Sequence, residues 1–275
     1  MASAQVTGST VDRLRAESPT ESRGRARDWA EIQERMLVPL YQAVFQQLEV
    51  GAATSLLGVG CGSGLALLLA RGRGALVEGT EADGELRELA AARGLKVVPE
   101  ACLARSAQPV PRAAHSLVTV FEQLPTPALV ASAAVRTLPG GLLVVAGWGP
   151  PERCESAAVL EVARRHTPLD DPAPFALSGP GVLESLLAGA GLRPAGSGRV
   201  SCPFAYADLD SAVRGMLSTG LFDRAEASAG SALVAKELEE ALHPFLRPDG
   251  SVRMTNVFRY VIGERVRVVG ERAWS

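Results

Sequence analysis

The sequence predicts an α/β protein with a mostly parallel sheet covered by helices on both faces. Three observations predict it. Strand-like and helix-like segments alternate from Ser55 to Ala190. The apolar run Leu56-Leu57-Gly58-Val59 ends in Gly60-Cys61-Gly62-Ser63-Gly64, and a helix-like run from Leu65 to Ala70 follows at once. Glu81 stands at the carboxyl end of the second strand, just past Gly79 and roughly 20 residues after the first glycines, where a carboxylate accepts hydrogen bonds from ribose hydroxyls.

Residues 1–27 are rich in Ser, Thr, Arg, Glu and Gly and read as a disordered arm. The domain proper spans 28–275. Trp29, Ile32, Met36, Leu37, Leu40, Val44 and Leu48 recur at helical spacing, broken by Pro39, so one or two helices end near Gly51. Strand one is Ser55–Val59 and a helix covers 64–72. Strand two is Ala75–Gly79, followed by a helix over Asp83–Arg93 with Leu86, Leu89 and Ala90 on one face. Leu95–Val98 is strand three and Ser116–Phe121 strand four. A helix over Pro127–Thr137 and strand five at Gly141–Gly147 follow, then helices over Glu152–His166 and 181–190. Val200–Tyr206 reads as extended, 208–219 and 225–243 as helical. Met254, Phe258, Tyr260 and Ile262 alternate with Thr255, Val257, Arg259 and Val261 in strand periodicity. A helical cap at about 207–250 thus lies between two late strands.

The 275 residues include 47% apolar ones, enough for a large core, and the net charge of −2 offers nothing to a nucleic acid. Cys61, Cys102, Cys154 and Cys202 form no metal or disulfide pattern. No apolar run is long enough to span a bilayer, and no secretory signal pattern opens the chain. The expectation is a cytoplasmic protein with no metal, membrane or nucleic-acid partner, acting as a monomer or homodimer.

The glycine spacing separates two cofactor classes. A dinucleotide fingerprint, G-x-G-x-x-G, places Ser63 or Leu65 at its third glycine, and neither register fits. The chain instead carries Gly60-x-Gly62-x-Gly64. With Gly58-Val59-Gly60-Cys61-Gly62-Ser63-Gly64, Thr80-Glu81-Ala82, Pro99-Glu100-Ala101, Val118-Thr119-Val120-Phe121-Glu122 and Leu138-Pro139-Gly140-Gly141, the chain resembles the class I S-adenosylmethionine-dependent methyltransferases, in particular small-molecule enzymes of actinobacterial natural-product type. The resemblance runs from about Asp28 to the end. It implies a Rossmann-like, seven-stranded sheet, an N-terminal helical lid and S-adenosylmethionine as cofactor. It also implies cofactor contacts from Gly58, Gly60, Cys61, Gly62, Glu81, Ala82, Glu100, Ala101 and Phe121, with Trp29 and Tyr41 closing over the cofactor from the lid.

Gly58 departs from the family pattern. An acid usually stands there and helps hold the cationic methionine end of the cofactor, a charge-assisted hydrogen bond worth roughly 1.5–3 kcal/mol. Two readings follow. The chain methylates a small natural-product-type substrate in secondary metabolism, such as antibiotic biosynthesis, with the methionine end held more weakly or from the N-terminal helix. Alternatively, the fold serves a non-methylating step, a cyclisation or rearrangement; a non-catalytic partner role is a third reading. For catalysis, His166 is the candidate base, at the carboxyl side of the sheet, and Glu122 the candidate to bind or activate substrate. Trp148, Phe204, Tyr206 and Arg259 are the candidate substrate contacts. Cys61 has no assignable base and reads as a small residue under the cofactor.

Overall fold

The computed structural model describes residues 19–104, 114–122, 124–168 and 173–266. Helix α1 spans Pro19–Asp28. It therefore occupies the end of the stretch expected to be a disordered arm, while residues 1–18 lie outside the described residues. Tertiary contact with α4 and α9 holds α1, and this is information that local composition does not carry. A π-helical turn, Trp29–Gln33, and a 3-10 turn, Glu34–Leu37, lead into α2, Val38–Gln47. Pro39 explains the irregularity: it has no N–H to give, and its ring crowds the carbonyl of Arg35 one turn back. The chain re-forms as an α-helix only with Pro39 in its first turn.

Strand β1 (Ser55–Val59) is followed by α3 (Leu65–Gly72), β2 (Leu76–Glu81), α4 (Gly84–Ala92) and β3 (Val97–Pro99). The short α5 (Ala101–Ala104), β4 (His115–Val120), α6 (Pro127–Val135) and β5 (Thr137–Trp148) come next. Local chemistry sets several starts. Asp83 caps α4 by accepting from Glu85 N–H at 2.7 Å, and Thr126 caps α6 ahead of Pro127. The Leu138-Pro139-Gly140-Gly141 stretch, expected as a loop, lies inside β5 as an irregularity: the β4–β5 register shifts between His115 and Leu117.

Helices α7 (Ser156–Arg165) and α8 (Val182–Gly189) precede β6 (Arg193–Ser201) and β7 (Phe204–Tyr206). Then come α9 (Leu209–Leu217), α10 (Asp223–Ala229), α11 (Ser231–Leu242), β8 (Val252–Met254) and β9 (Val257–Glu264). The main sheet has seven strands in the order β3-β2-β1-β4-β5-β9-β6, with β9 antiparallel to both neighbours. Strands β7 and β8 pair with each other in a separate two-stranded ribbon at the base of the helical cap. Most of β6 lay outside the expected strands, because its Arg-Pro-Ala-Gly-Ser-Gly run sits on the sheet edge, half-exposed and without an apolar face.

One sheet face packs Leu56, Leu117, Val144 and Ile262 against α2 and α3. The other packs Leu57, Val118, Val120, Leu143 and Val145 against α6 and α8. The strand order reverses between β1 and β4, so their carboxyl ends open onto one crevice. Ligands of open α/β sheets bind at such a switch point.

Candidate functional site

The crevice is built on the turn after β1. Gly60, Gly62 and Gly64 all adopt positive φ, +60°, +57° and +85°. An L-side chain disfavours that conformation, and at all three positions there is also no room for one, the Leu95 side chain filling the place at Gly64. A Cβ on Gly60 would overlap the Glu122 carboxylate, and a Cβ on Gly62 would lie 2.7 Å from Trp29 Nε1 and 2.9 Å from Glu34 Oε1. The turn is therefore a cradle with its covering groups already in contact.

Glu81 fixes the cradle from β2. Its carboxylate accepts from Gly62 N–H at 2.8 Å and from Asp83 N–H at 3.0 Å. The Cys61 N–H donates to Thr80 O at 3.0 Å, tying the turn to the same strand. Glu100, half-buried after β3, follows through a Glu100 N–H to Glu81 O bond of 3.2 Å. Ala82 and Ala101 are exposed beside these acids. From β4 come Phe121, whose ring stacks on Tyr41 of α2 at 5.0 Å between centroids, and Glu122 over Gly60.

Sequence reasoning missed Glu34. Its side chain is only 2% exposed. Ser63 Oγ donates to Glu34 Oε2, the Leu65 N–H at the start of α3 lies 3.3 Å from Oε1, and the Arg93 guanidinium is 3.6 Å away. Nothing in the local pattern marked it, because Glu34 occurs in a helical, amphipathic stretch where an acid normally faces water. Its closeness to the glycine turn depends on the irregular turns before Pro39.

The electrostatics are one-sided. Burial pushes the Glu34 carboxyl up to about 7, against the Ser63, Leu65 and Arg93 contacts that lower it. Burial, with the charges of Glu100 and Glu81, pushes Glu122 up to about 8. Burial likewise raises Glu81 and Glu100 above the usual carboxylate range. Among the described residues no ion pair joins Glu81, Glu100 or Glu122 to a basic group. Trp29 Nε1 is buried with no hydrogen-bond partner. Burial raises the Cys61 thiol far above its ordinary value, so it has no nucleophilic character there.

Between Trp29, Glu34, Tyr41, the glycine turn and Phe121 remains a cavity of about 20 Å³, roughly the space of a single water. A larger cavity of about 240 Å³ opens beyond the end of β4, lined by Leu124, Ala163, Pro174 and Leu221 with Arg164 and Arg224 at its sides.

Gly58 is buried in β1, and a Cβ there would stand 3.0 Å from Leu67 Cδ2 and 3.2 Å from Cys61 Cβ. The position is packed by apolar atoms on the side where its Cβ would stand.

The other predicted residues are elsewhere. Trp148 is 2% exposed, with its ring 4.5 Å from Phe258, 5.3 Å from Phe175 and 5.7 Å from Phe204. It is part of the core rather than a pocket wall, since an aromatic at a strand end buries most area by stacking on its neighbours. Phe204 belongs to the same cluster, and Tyr206 donates its hydroxyl to Gln33 Oε1 at 2.8 Å. Both are core residues of the cap rather than substrate contacts. Arg259 pairs with both Glu184 oxygens, at 2.7 and 2.8 Å, and with Gly179 O at 2.8 Å. Its donors are occupied in tethering α8 to β9. His166 Nε2 lies 3.1 Å from both oxygens of Glu237 on α11, so the ring is engaged with the cap and does not line either cavity.

No protein-family model matches the chain, and no curated protein matches it. Solved structures do. A protein from Bacillus halodurans C-125 assigned as a methyltransferase superposes with a TM-score of 0.52 at 14% identity, over 82% of this chain and 99% of that one. The YcgJ protein from Bacillus subtilis gives 0.51 at 14% identity, over 83% and 98%. The [4+2]-cyclase SpnF gives 0.50 at 16% identity, over 83% and 80%. Strand order, crevice position and these superpositions agree: the chain has the Rossmann-like fold of class I methyltransferases.

Proposed function

We propose that this protein binds S-adenosylmethionine over the glycine turn and methylates a small, largely apolar substrate of natural-product type in secondary metabolism. The observation that carries the reading is the acid-rich glycine cradle: Glu34 and Glu122 cover the turn, Glu81 bonds to it and Glu100 stands beside Glu81, with the Arg93 and Arg87 guanidiniums at the edges. Such a site is matched by a ligand with positive charge and a ribose. The residues fit this cofactor. Glu81 stands where ribose hydroxyls meet a carboxylate, Gly60 and Gly62 leave room for close approach, and Phe121 and Tyr41 offer apolar surface. When bound, the cofactor supplies an activated methyl group. A nucleoside far exceeds the present cavity, so Glu122 would have to turn away from Gly60 to admit it.

The protein's own contribution is position, a dry pocket and a proton acceptor. Glu122 is the acceptor in this reading: it sits at the β4 end of the crevice, and with its carboxyl pushed up by burial to about 8 its ionised form is basic enough to take a substrate proton once the cationic cofactor favours that form. His166, bound to Glu237, orients α11 instead. The 240 Å³ cavity beyond Leu124 takes the apolar substrate.

One observation favours a second reading, a cyclisation or rearrangement on the same fold. The acid expected at position 58 is missing, and the protein's own side chains fill the cradle. SpnF demonstrates that the fold accommodates a [4+2] cyclisation. Calorimetric titration separates the readings. S-adenosylmethionine is expected to bind, and Glu81→Gln to weaken it by about tenfold or more through loss of a charged acceptor. No binding at millimolar cofactor sinks the proposal. Binding without transfer of methyl label to small hydroxyl, amine or enol acceptors selects the second reading.

A further inference from the structure

Two groups on the N-terminal segment have unused bonding capacity at one spot. Glu34 carries a carboxylate with four acceptor sites, of which Ser63 Oγ–H and the Leu65 N–H occupy two, with the Arg93 guanidinium 3.6 Å from Oε2 and Oε1 left a free lone pair. Trp29 Nε1–H is a buried donor that donates to nothing. Both reach the same face of the same glycine, 2.9 and 2.7 Å from where a Gly62 Cβ would stand. A buried, unpaired donor and a buried carboxylate with a free lone pair each cost stability. Side by side they complement a zwitterion: the carboxylate takes an ammonium, and the indole N–H takes a carboxylate.

Gly58 completes the argument. A side chain at that position would press on Leu67 and Cys61, 3.0 and 3.2 Å from its Cβ. The acid that is missing from β1 has a counterpart on the other wall of the same cavity, since Glu34 and Gly58 both line it. We propose that Glu34 and Trp29 form a lid-borne subsite for the amino-acid end of the cofactor, which moves recognition of the ammonium from β1 to the N-terminal segment. The assignment rests on the S-adenosylmethionine reading above. It also makes the lid part of the binding site.

Two adenosine thioethers test it by calorimetry on the full chain. S-adenosylhomocysteine carries the amino-acid end, and 5′-methylthioadenosine lacks it. Glu34→Gln keeps the shape and removes the charge; it is expected to weaken S-adenosylhomocysteine by about 10- to 100-fold and to leave methylthioadenosine unchanged. Trp29→Phe keeps the aromatic body and removes the N–H. It is expected to weaken S-adenosylhomocysteine severalfold, again with methylthioadenosine unchanged. Retained methylthioadenosine binding also proves each variant folded. Equal weakening of both ligands, or no change in S-adenosylhomocysteine binding in either variant, overturns the assignment while the cofactor reading stands. If the wild-type protein binds neither thioether, the cofactor reading falls and takes the subsite with it.

Discussion

At the scale of single residues, the site is decided by what fills the space above three glycines. Gly62 needs both its φ of +57° and the absence of a side chain, because Trp29 and Glu34 occupy the place of a Cβ. Gly181 provides a comparison: its φ is +76°, but nothing lies within 4 Å of its Cβ position. Gly181→Ala is expected to lose only the left-handed backbone preference, about 1–2 kcal/mol. Gly62→Ala should lose that and also displace the two covering side chains, giving a clearly larger loss by urea denaturation. Equal losses would mean that Trp29 and Glu34 move aside without cost. Glu81, Gly60 and Gly62 were legible in the chain because turn chemistry and the β2 terminus are local signals. Glu34 was not, since only the packing of the N-terminal segment onto the turn gives that acid its role.

At the scale of elements, the strands and helices are set by local pattern and locked by a few long-range ties. Arg259 is the strongest such tie among the predicted site residues. It bridges β9 to the start of α8 through Glu184 and the Gly179 carbonyl, and it is itself 8% exposed. Arg259→Ala leaves those acceptors without their donor and is expected to cost about 2–4 kcal/mol; the partial exposure of Glu184 keeps the loss below that of a fully buried pair. Hydrogen exchange should locate the damage, with faster exchange in 182–189 and unchanged protection in β1 and β4. Uniform acceleration across the sheet would show that the tie supports the whole core instead. An arginine on a strand carries no sign of whether it faces a partner or a substrate, so its role had to await the position of α8.

At the scale of the molecule, the acid-lined crevice makes stability depend on pH. Glu34 and Glu122 bind protons more tightly in the folded protein, at about 7 and about 8, than the ordinary 4.5 of the unfolded chain. The native state therefore holds extra protons between these values, and stability falls as pH rises from about 5 to about 8. Glu122→Gln removes its share of that slope. Its Tm should match the wild type at pH 5 and exceed it at pH 8, by about 2–4 °C for each kcal/mol recovered. A wild-type Tm that climbs over the same range would contradict the burial of these carboxyls. A cationic ligand should oppose the trend, stabilising the protein most at the alkaline end, where the acids are charged.

The alternation of strands and helices, the glycine turn, the acid after β2 and the break at Pro39 were all readable from residue order, because each depends on neighbours within a few positions. The edge strand β6 and the helix α1 were not, because each is held by contacts with distant elements rather than by its own hydropathy. The assignment of polar residues divides along the same line. Trp148, Phe204, Tyr206, Arg259 and His166 had residue types suited to a site, and three-dimensional packing engaged each of them elsewhere. Glu34 looked like a surface acid, and folding buried it against Ser63 at the glycine crevice. Local order specifies backbone, since its hydrogen bonds and torsions are short-range. Only the folded chain specifies which charges lose their water, and that loss is what turns an acid into part of a site.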